Sequence, residues 1–221
     1  MIRTVFENKF FLVISKPSGV SAHNETPSVS EWLKENNLSQ HLVNRLDRET
    51  SGLMIIAKKP ELHTELSQSM EAGQKIYRAL LYGKWKGPRI ENSTITWTFA
   101  LTDRAEGRDH IQGDKSDQKP CITEAKLIRT NDYFSEVELL LLSGRQHQIR
   151  RHAAISGQAL VGDDRYGNAK FNLKIHNLYP NISHRLQLHA EHLRISFRGE
   201  SFKFSDPNYS VHDFFNAVDT K

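Results

Sequence analysis

Short apolar runs, separated by Gly, Pro and polar clusters, set out a chain of small elements. Residues 10–15 read Phe-Phe-Leu-Val-Ile-Ser, and Pro17-Ser18-Gly19 follows, which predicts a strand ending in a turn. Residues 53–57 (Leu-Met-Ile-Ile-Ala) predict a second, buried strand. Between them, Ser28 or Ser30 is placed to cap a short helix over residues 31–35, with Trp32 and Leu33 facing inward. Pro60 suits the first position of a helix over residues 61–70, with Leu62 and Leu66 on one face and Ala72-Gly73 as its stop. Residues 75–82 alternate as a strand does, and residues 94–101 predict another. Residues 121–128 and 133–142 read as a strand pair around Thr130-Asn131-Asp132. A helix is expected over residues 147–156, stopped by Gly157, followed by a turn-rich loop at residues 162–168. Residues 193–197 and 201–204 form an expected hairpin around Gly199-Glu200, and residues 210–218 a closing helix with Val211, Phe214 and Phe215 inward. About eight strands and four short helices, several strands being hairpin-connected, favour an antiparallel or mixed α+β fold over a doubly wound parallel sheet. The one long polar stretch, residues 102–120, is of a length that compact domains keep for function or leave disordered.

Composition narrows the class. The chain has 221 residues, 38% hydrophobic and 25% charged, an ordinary soluble balance. A chain of this length buries roughly 70% of its unfolded surface, so a substantial core is available. Cys121 is the single cysteine, which excludes a disulfide framework and a Cys-rich metal site and points to a reducing, cytoplasmic setting. The first nine residues do not form a secretory signal, and no apolar run reaches the length of a membrane span, so no membrane association is expected. Net charge is +4, with a pI near 9.1, which hints at a polyanionic partner. The segment Arg145-Gln146-His147-Gln148-Ile149-Arg150-Arg151-His152 concentrates base without acid. It reads either as a solvated helix face or as a helix start that contacts phosphates.

The most informative stretch is Asn44-Arg45-Leu46-Asp47-Arg48-Glu49-Thr50-Ser51-Gly52-Leu53. A carboxylate between two arginines at the mouth of a strand is kept ionised, which suits a nucleophile or electrostatic stabiliser and not a general acid at neutral pH. A turn aspartate that pairs with its neighbours and caps backbone groups is the plainer reading. Tyr77, flanked by Lys75 and Arg78, is either a core-facing strand aromatic or a stacking platform for a nucleobase. His184, His189 and His192, and separately His147 and His152, do not have metal-protease spacing, and no cysteine pair joins them, so no metal is expected. Phosphate-binding glycine loops and a Gly-x-Ser-x-Gly nucleophile elbow are absent from the sequence.

In chain order, these motifs resemble those of the RluA-type pseudouridine synthases. Residues 10–21 look like the opening strand with its Lys-Pro-x-Gly turn, and Arg45-Leu46-Asp47-Arg48-Glu49-Thr50-Ser51-Gly52-Leu53 is similar to the catalytic motif. Lys75-Ile76-Tyr77-Arg78-Ala79 resembles the Tyr-bearing strand, and Lys119-Pro120-Cys121-Ile122-Thr123 a strand start. Gly144-Arg145-Gln146-His147-Gln148-Ile149-Arg150 resembles the basic motif, and Leu160-Val161-Gly162-Asp163 and Leu188-His189-Ala190 complete the series. The resemblance implies a mixed, mostly antiparallel central sheet with flanking short helices and a catalytic cleft, in one catalytic domain over residues 1–221. It implies isomerisation of uridines in rRNA or tRNA, with structured RNA as partner, no metal, no cofactor and a monomeric state. Asp47 is the implied catalytic carboxylate, Arg145 its partner across the cleft and Tyr77 the ring against the target uracil. Arg45 is implied to border the pocket and Leu188 to line it, while Arg150 and Arg151 are expected to touch phosphates. The sequence departs from the family's pattern at Asn44 (usually His), at Gln146 (commonly Thr) and at Arg165 before Tyr166-Gly167 (usually apolar). It opens directly on the first catalytic strand, so no separate N-terminal RNA-binding module is expected. A non-catalytic RNA-binding protein on the same scaffold and a hydrolase using Asp47 are the competing readings.

Overall fold

The computed structural model describes residues 1–23, 25–88, 90–105, 111–178 and 185–206. In chain order the first half contains β1 (Arg3–Glu7), β2 (Phe11–Lys16), α1 (Val29–Glu35), β3 (His41–Leu42), β4 (Ser51–Ala57), α2 (His63–Ala72) and β5 (Gln74–Tyr82). The second half contains β6 (Thr94–Trp97), β7 (Thr123–Thr130), β8 (Phe134–Leu141), α3 (Gln148–Ile155), α4 (Ala169–Leu178), β9 (Leu188–Phe197) and β10 (Glu200–Ser205). The described residues form two compact units, one of residues 1–76 with 189–206 and the other within residues 77–188. The expected closing helix at residues 210–218 lies outside the described residues.

In the first unit the strand order is β1-β2-β4-β9, with β10 on β9 and β3 on β4. All pairings here are antiparallel except β4 with β9, which makes the α+β fold mixed, as expected from the sequence. Every residue of β4 is buried, as befits a central strand covered on both faces. Alternation puts Phe11 and Val13, Leu53 and Ile55, and Leu193, Ile195 and Phe197 into one apolar cluster. Leu62, Leu66 and Met70, spaced at helical intervals, bring α2 and the preceding 3-10 turn Pro60–Leu62 onto that cluster. Each such fully buried side chain contributes about 1.5–3 kcal/mol. Ser28 is the cap of α1, and a reciprocal box forms: its hydroxyl accepts from Glu31 N, and Glu31 Oε2 accepts from Ser28 N. Leu33 is buried and Trp32 only partly so. The β9–β10 hairpin turns at Arg198-Gly199, both at positive φ, one residue earlier than predicted.

In the second unit the order is β5-β8-β7-β6, with β7 antiparallel to both neighbours. β6 ends at Trp97, short of the predicted Leu101, because the Phe99 carbonyl turns to accept from the Cys121 thiol and faces His152. Three of these elements escaped prediction, one of them the two-residue strand β3 paired with β4. β1 is an exposed edge strand with a bulge, and α4 has no buried residue, with only Phe171 and Ile175 packed on the Leu80–Phe134–Val161 cluster.

Candidate active site

Asp47 and Arg45 lie on the turn that feeds β4, in the first unit. The turn closes by Thr50 N donating to Asp47 O at 3.1 Å. A second turn, residues 16–20, is laced to it. Gly19 N donates to Arg48 O at 2.8 Å, Arg48 Nε to Gly19 O at 3.2 Å, and Ser18 Oγ to Glu49 O at 2.6 Å. Lys16 is wholly buried, and its ammonium donates to the carbonyls of Pro17 (3.1 Å), Val20 (2.7 Å) and Arg48 (3.1 Å). A buried charge is tolerable only with such partners, and here they come from both turns.

Gly52 completes the clamp. Its φ is +118°, and a Cβ there would stand 2.4 Å from Ala190 O and 2.5 Å from Ala190 N. Only glycine fits so close to the neighbouring backbone of β9. Asp47 is half-buried on this turn. Arg48 directs its NH1 to Glu25 Oε2 at 3.0 Å, so this flanking arginine serves an exposed ion pair. Arg45 is exposed. Asn44, in place of the usual His, accepts from Ile55 N at 2.8 Å and so supports the β4 backbone.

Tyr77, Arg145 and Leu188 belong to the second unit. Tyr77 on β5 is 9% exposed and Leu188 is 4% exposed. Arg145 precedes α3, whose first turn is set by His147 in the left-handed region, φ 52°. Gln148, itself buried, accepts from Arg145 N (3.1 Å) and Ser143 Oγ (2.9 Å) and donates to Ile122 O and Thr123 Oγ1 (both 3.0 Å). The Arg145 loop is thereby tied to the start of β7. Arg145 NH1 stands 2.6 Å from Asp103 Oδ1, and Lys119 pairs with the other oxygen of that carboxylate. The Lys119 hydrogen bond, with the Arg145 and Lys119 charges outweighing the opposing desolvation, holds Asp103 below the usual carboxylate range.

The expected phosphate contacts at Arg150 and Arg151 are corrected by their burial. Arg150 is 4% exposed and forks onto Asp163, Nε to Oδ2 and NH2 to Oδ1, both 2.9 Å. Arg151 is 0% exposed and donates to Thr102 O (2.9 Å), Thr102 Oγ1 (3.0 Å) and Ile111 O (2.5 Å). Burial raises the Asp163 carboxyl, but the Arg150 hydrogen bond and charge, with the Tyr166 and Arg165 amides, bring it below the usual range. These guanidiniums tie α3 to the Asp163 loop and to Thr102 and Ile111. Sequence reasoning did not single out the supporting roles of Lys16, Gly52, Asp103 and Gln148, although Lys16, Gly52 and Gln148 stand within the motifs quoted above.

Among the described residues no cluster of His, Cys, Asp or Glu could hold a metal ion, and no helix is long and apolar enough to cross a membrane.

The fold is a mixed α+β architecture with a clamped carboxylate turn, and comparison with known proteins specifies it. Residues 10–155 match the family model described as RNA pseudouridylate synthase. The chain is 31% identical, over 92% of its length and 64% of the other protein, to "Ribosomal large subunit pseudouridine synthase C" of Yersinia pestis. It is 33% identical, over 85% of its length and 60% of the other, to the protein of the same description in Buchnera aphidicola subsp. Baizongia pistaciae. The chain thus spans less than two-thirds of the length of these curated relatives. The solved structure "Human RNA Pseudouridylate Synthase Domain Containing 1" aligns with a TM-score of 0.76 over 100% of this chain and 96% of that one, at 23% identity, a likeness of fold. The chain belongs to the RNA pseudouridylate synthase family.

Proposed function

We propose that this chain isomerises uridine to pseudouridine in structured RNA, with Asp47 as the essential carboxylate and Tyr77 and Arg145 as the further members of the catalytic set. The observation that carries the reading is the clamped turn: Lys16 and Gly52 hold the backbone around one half-buried aspartate. Family membership and the description of the relatives as large-subunit rRNA enzymes support rRNA over tRNA as substrate. The single free, buried cysteine suits a reducing, cytoplasmic setting.

The chemistry follows. A stacked uracil hides its glycosidic bond, so the nucleotide must leave the stack at a cost of a few kcal/mol. Arg45 at the pocket edge holds the extruded nucleotide. The N1–C1′ bond breaks, the detached base rotates, and C5 bonds to C1′; the C5 proton leaves to solvent and N1 regains one. Attack on C6, attack on C1′ and removal of a ribose proton all begin from an ionised aspartate. Tyr77 and Leu188 confine the free base, an orientation effect.

Asp47→Asn is expected to abolish tritium release from RNA labelled at uracil C5 while RNA affinity stays close to normal. Release at the wild-type rate would remove Asp47 from the mechanism. Intact Asp47, Tyr77 and Arg145 set this reading above a non-catalytic RNA binder on the same scaffold.

A further inference from the structure

Behind the Asp47 turn a buried polar chain runs from Ser51 of the catalytic motif to residues distant in the sequence. Ser51 ends the turn, and its Oγ lies 2.8 Å from His189 Nδ1. His189 Nε2 lies 3.1 Å from the backbone oxygen of Asp206 and 3.6 Å from its Oδ2. Asp206 Oδ2 accepts from Ser15, and Oδ1 pairs with Arg3 at 2.7 Å. Ser51, His189 and Asp206 are 5%, 2% and 0% exposed. All belong to the first unit.

A carbonyl oxygen only accepts, so Nε2 carries the ring hydrogen. In the neutral imidazole Nδ1 is then the acceptor, and Ser51 donates to it. Asp206 sets the tautomer, and the tautomer sets the Ser51 rotamer. The order is the reverse of an acyl-transfer triad, in which Nε2 meets the serine. With Ser51 buried as well, a nucleophilic role is excluded. What remains is position. The backbone already pairs Ser51 with His189 in parallel register, and the side-chain bond adds a second tie at the end of the turn four residues from Asp47.

We propose that His189 is a positioning residue for Asp47, acting through Ser51 and itself oriented by Asp206; this rests on the function proposed above. The test uses the full chain as wild type, Ser51→Ala, His189→Asn and His189→Gln. An Asn amide can replace Nδ1 and keep the Ser51 bond, whereas a Gln amide replaces Nε2 and keeps only the Asp206 bond. With a large-subunit rRNA transcript labelled at uracil C5, Ser51→Ala and His189→Gln are expected to lose kcat on the order of ten- to a hundredfold, as for a catalytic group displaced by about 1 Å, with KM nearly unchanged. His189→Asn should recover most of that loss. Amide hydrogen exchange over residues 45–52 should quicken in Ser51→Ala and His189→Gln and not in His189→Asn. Wild-type kcat and exchange in Ser51→Ala would overturn the proposal, as would equal losses in both His189 variants that simply track melting temperature. A wild type that releases no tritium defeats the function reading instead, and the exchange comparison then still decides whether His189 holds the turn.

Discussion

One missing Cβ makes the Asp47 turn possible. At Gly52 the backbone of Ala190 occupies the place a side chain would take, and φ is +118°. Gly52→Ala must therefore push β9 away and strain its own backbone. The expected loss is about 2–6 kcal/mol, since a positive-φ residue and an overpacked contact each cost about 1–3 kcal/mol. A urea melt measures it, and a loss below about 0.5 kcal/mol would show that the strands part freely. Asp47 was legible from the sequence because the charges and turn formers that mark it are its neighbours. Gly52 was legible as part of a motif, but its reason was not, since Ala190 is distant in the chain. Asn44 shows the same limit. Its departure from the usual His suggests a change at the site, yet its side chain serves the Ile55 amide.

At the scale of elements, α3 reads differently from its composition. Gln148, Ile149, Arg150, Arg151, His152 and Ala153 are all buried, although the stretch is rich in base. The helix is interior because its charges find fixed partners. Arg150 meets Asp163, and Arg151 meets the Thr102 and Ile111 carbonyls. Removing one partner of a buried pair strands the other, at about 3–5 kcal/mol. Arg150→Ala should thus lower the urea midpoint sharply, and Arg150→Met with Asp163→Leu should recover much of it. If the double variant is no more stable than Arg150→Ala, the stranded-charge account fails. Arg151→Ala is expected to act in the same way, through stability. Arg145→Ala, whose partner Asp103 is half-exposed, should leave the melting temperature nearly intact while turnover falls, measured by tritium release; equal destabilisation by both would erase that distinction. The strands and the α1 cap were readable in advance, since alternation and the Ser28–Glu31 box are local patterns. β1 and α4 were not, because an exposed edge and a helix with only two packed residues leave weak periodicity.

For the molecule as a whole, acid sensitivity follows from two buried groups. Burial, with Arg151 adding to it and the Phe99 carbonyl opposing, lowers His152 from its ordinary value. Asp163 is lowered as well, its burial being outweighed by Arg150 and two backbone amides. In each case the folded state binds the proton less readily than the unfolded chain. The stability these groups contribute is therefore complete above their unfolded values, and is lost as pH falls through the folded ones. For His152 the loss begins below about pH 6.5, and for Asp163 below about pH 4. Unfolding free energy is expected to decline from pH 7 to pH 5, with a slope of at most about 1.4 kcal/mol per pH unit for one proton, and melting temperature with it. His152→Gln should flatten that limb. A wild-type profile that is level over this range, or rises toward acid, would contradict the assignment.

The sequence by itself determined what depends on residues a few positions apart: the alternating strands, the capped helix, the carboxylate turn and the ordered motifs by which the family was recognised. Tertiary structure decided which charges are buried against distant partners. Arg150 finds its carboxylate 13 residues away, Arg151 its hydroxyl 49 away, and Ser51 its imidazole 138 away. No local pattern encodes such pairings, because burial and hydrogen-bond geometry arise only when distant segments pack and exclude water.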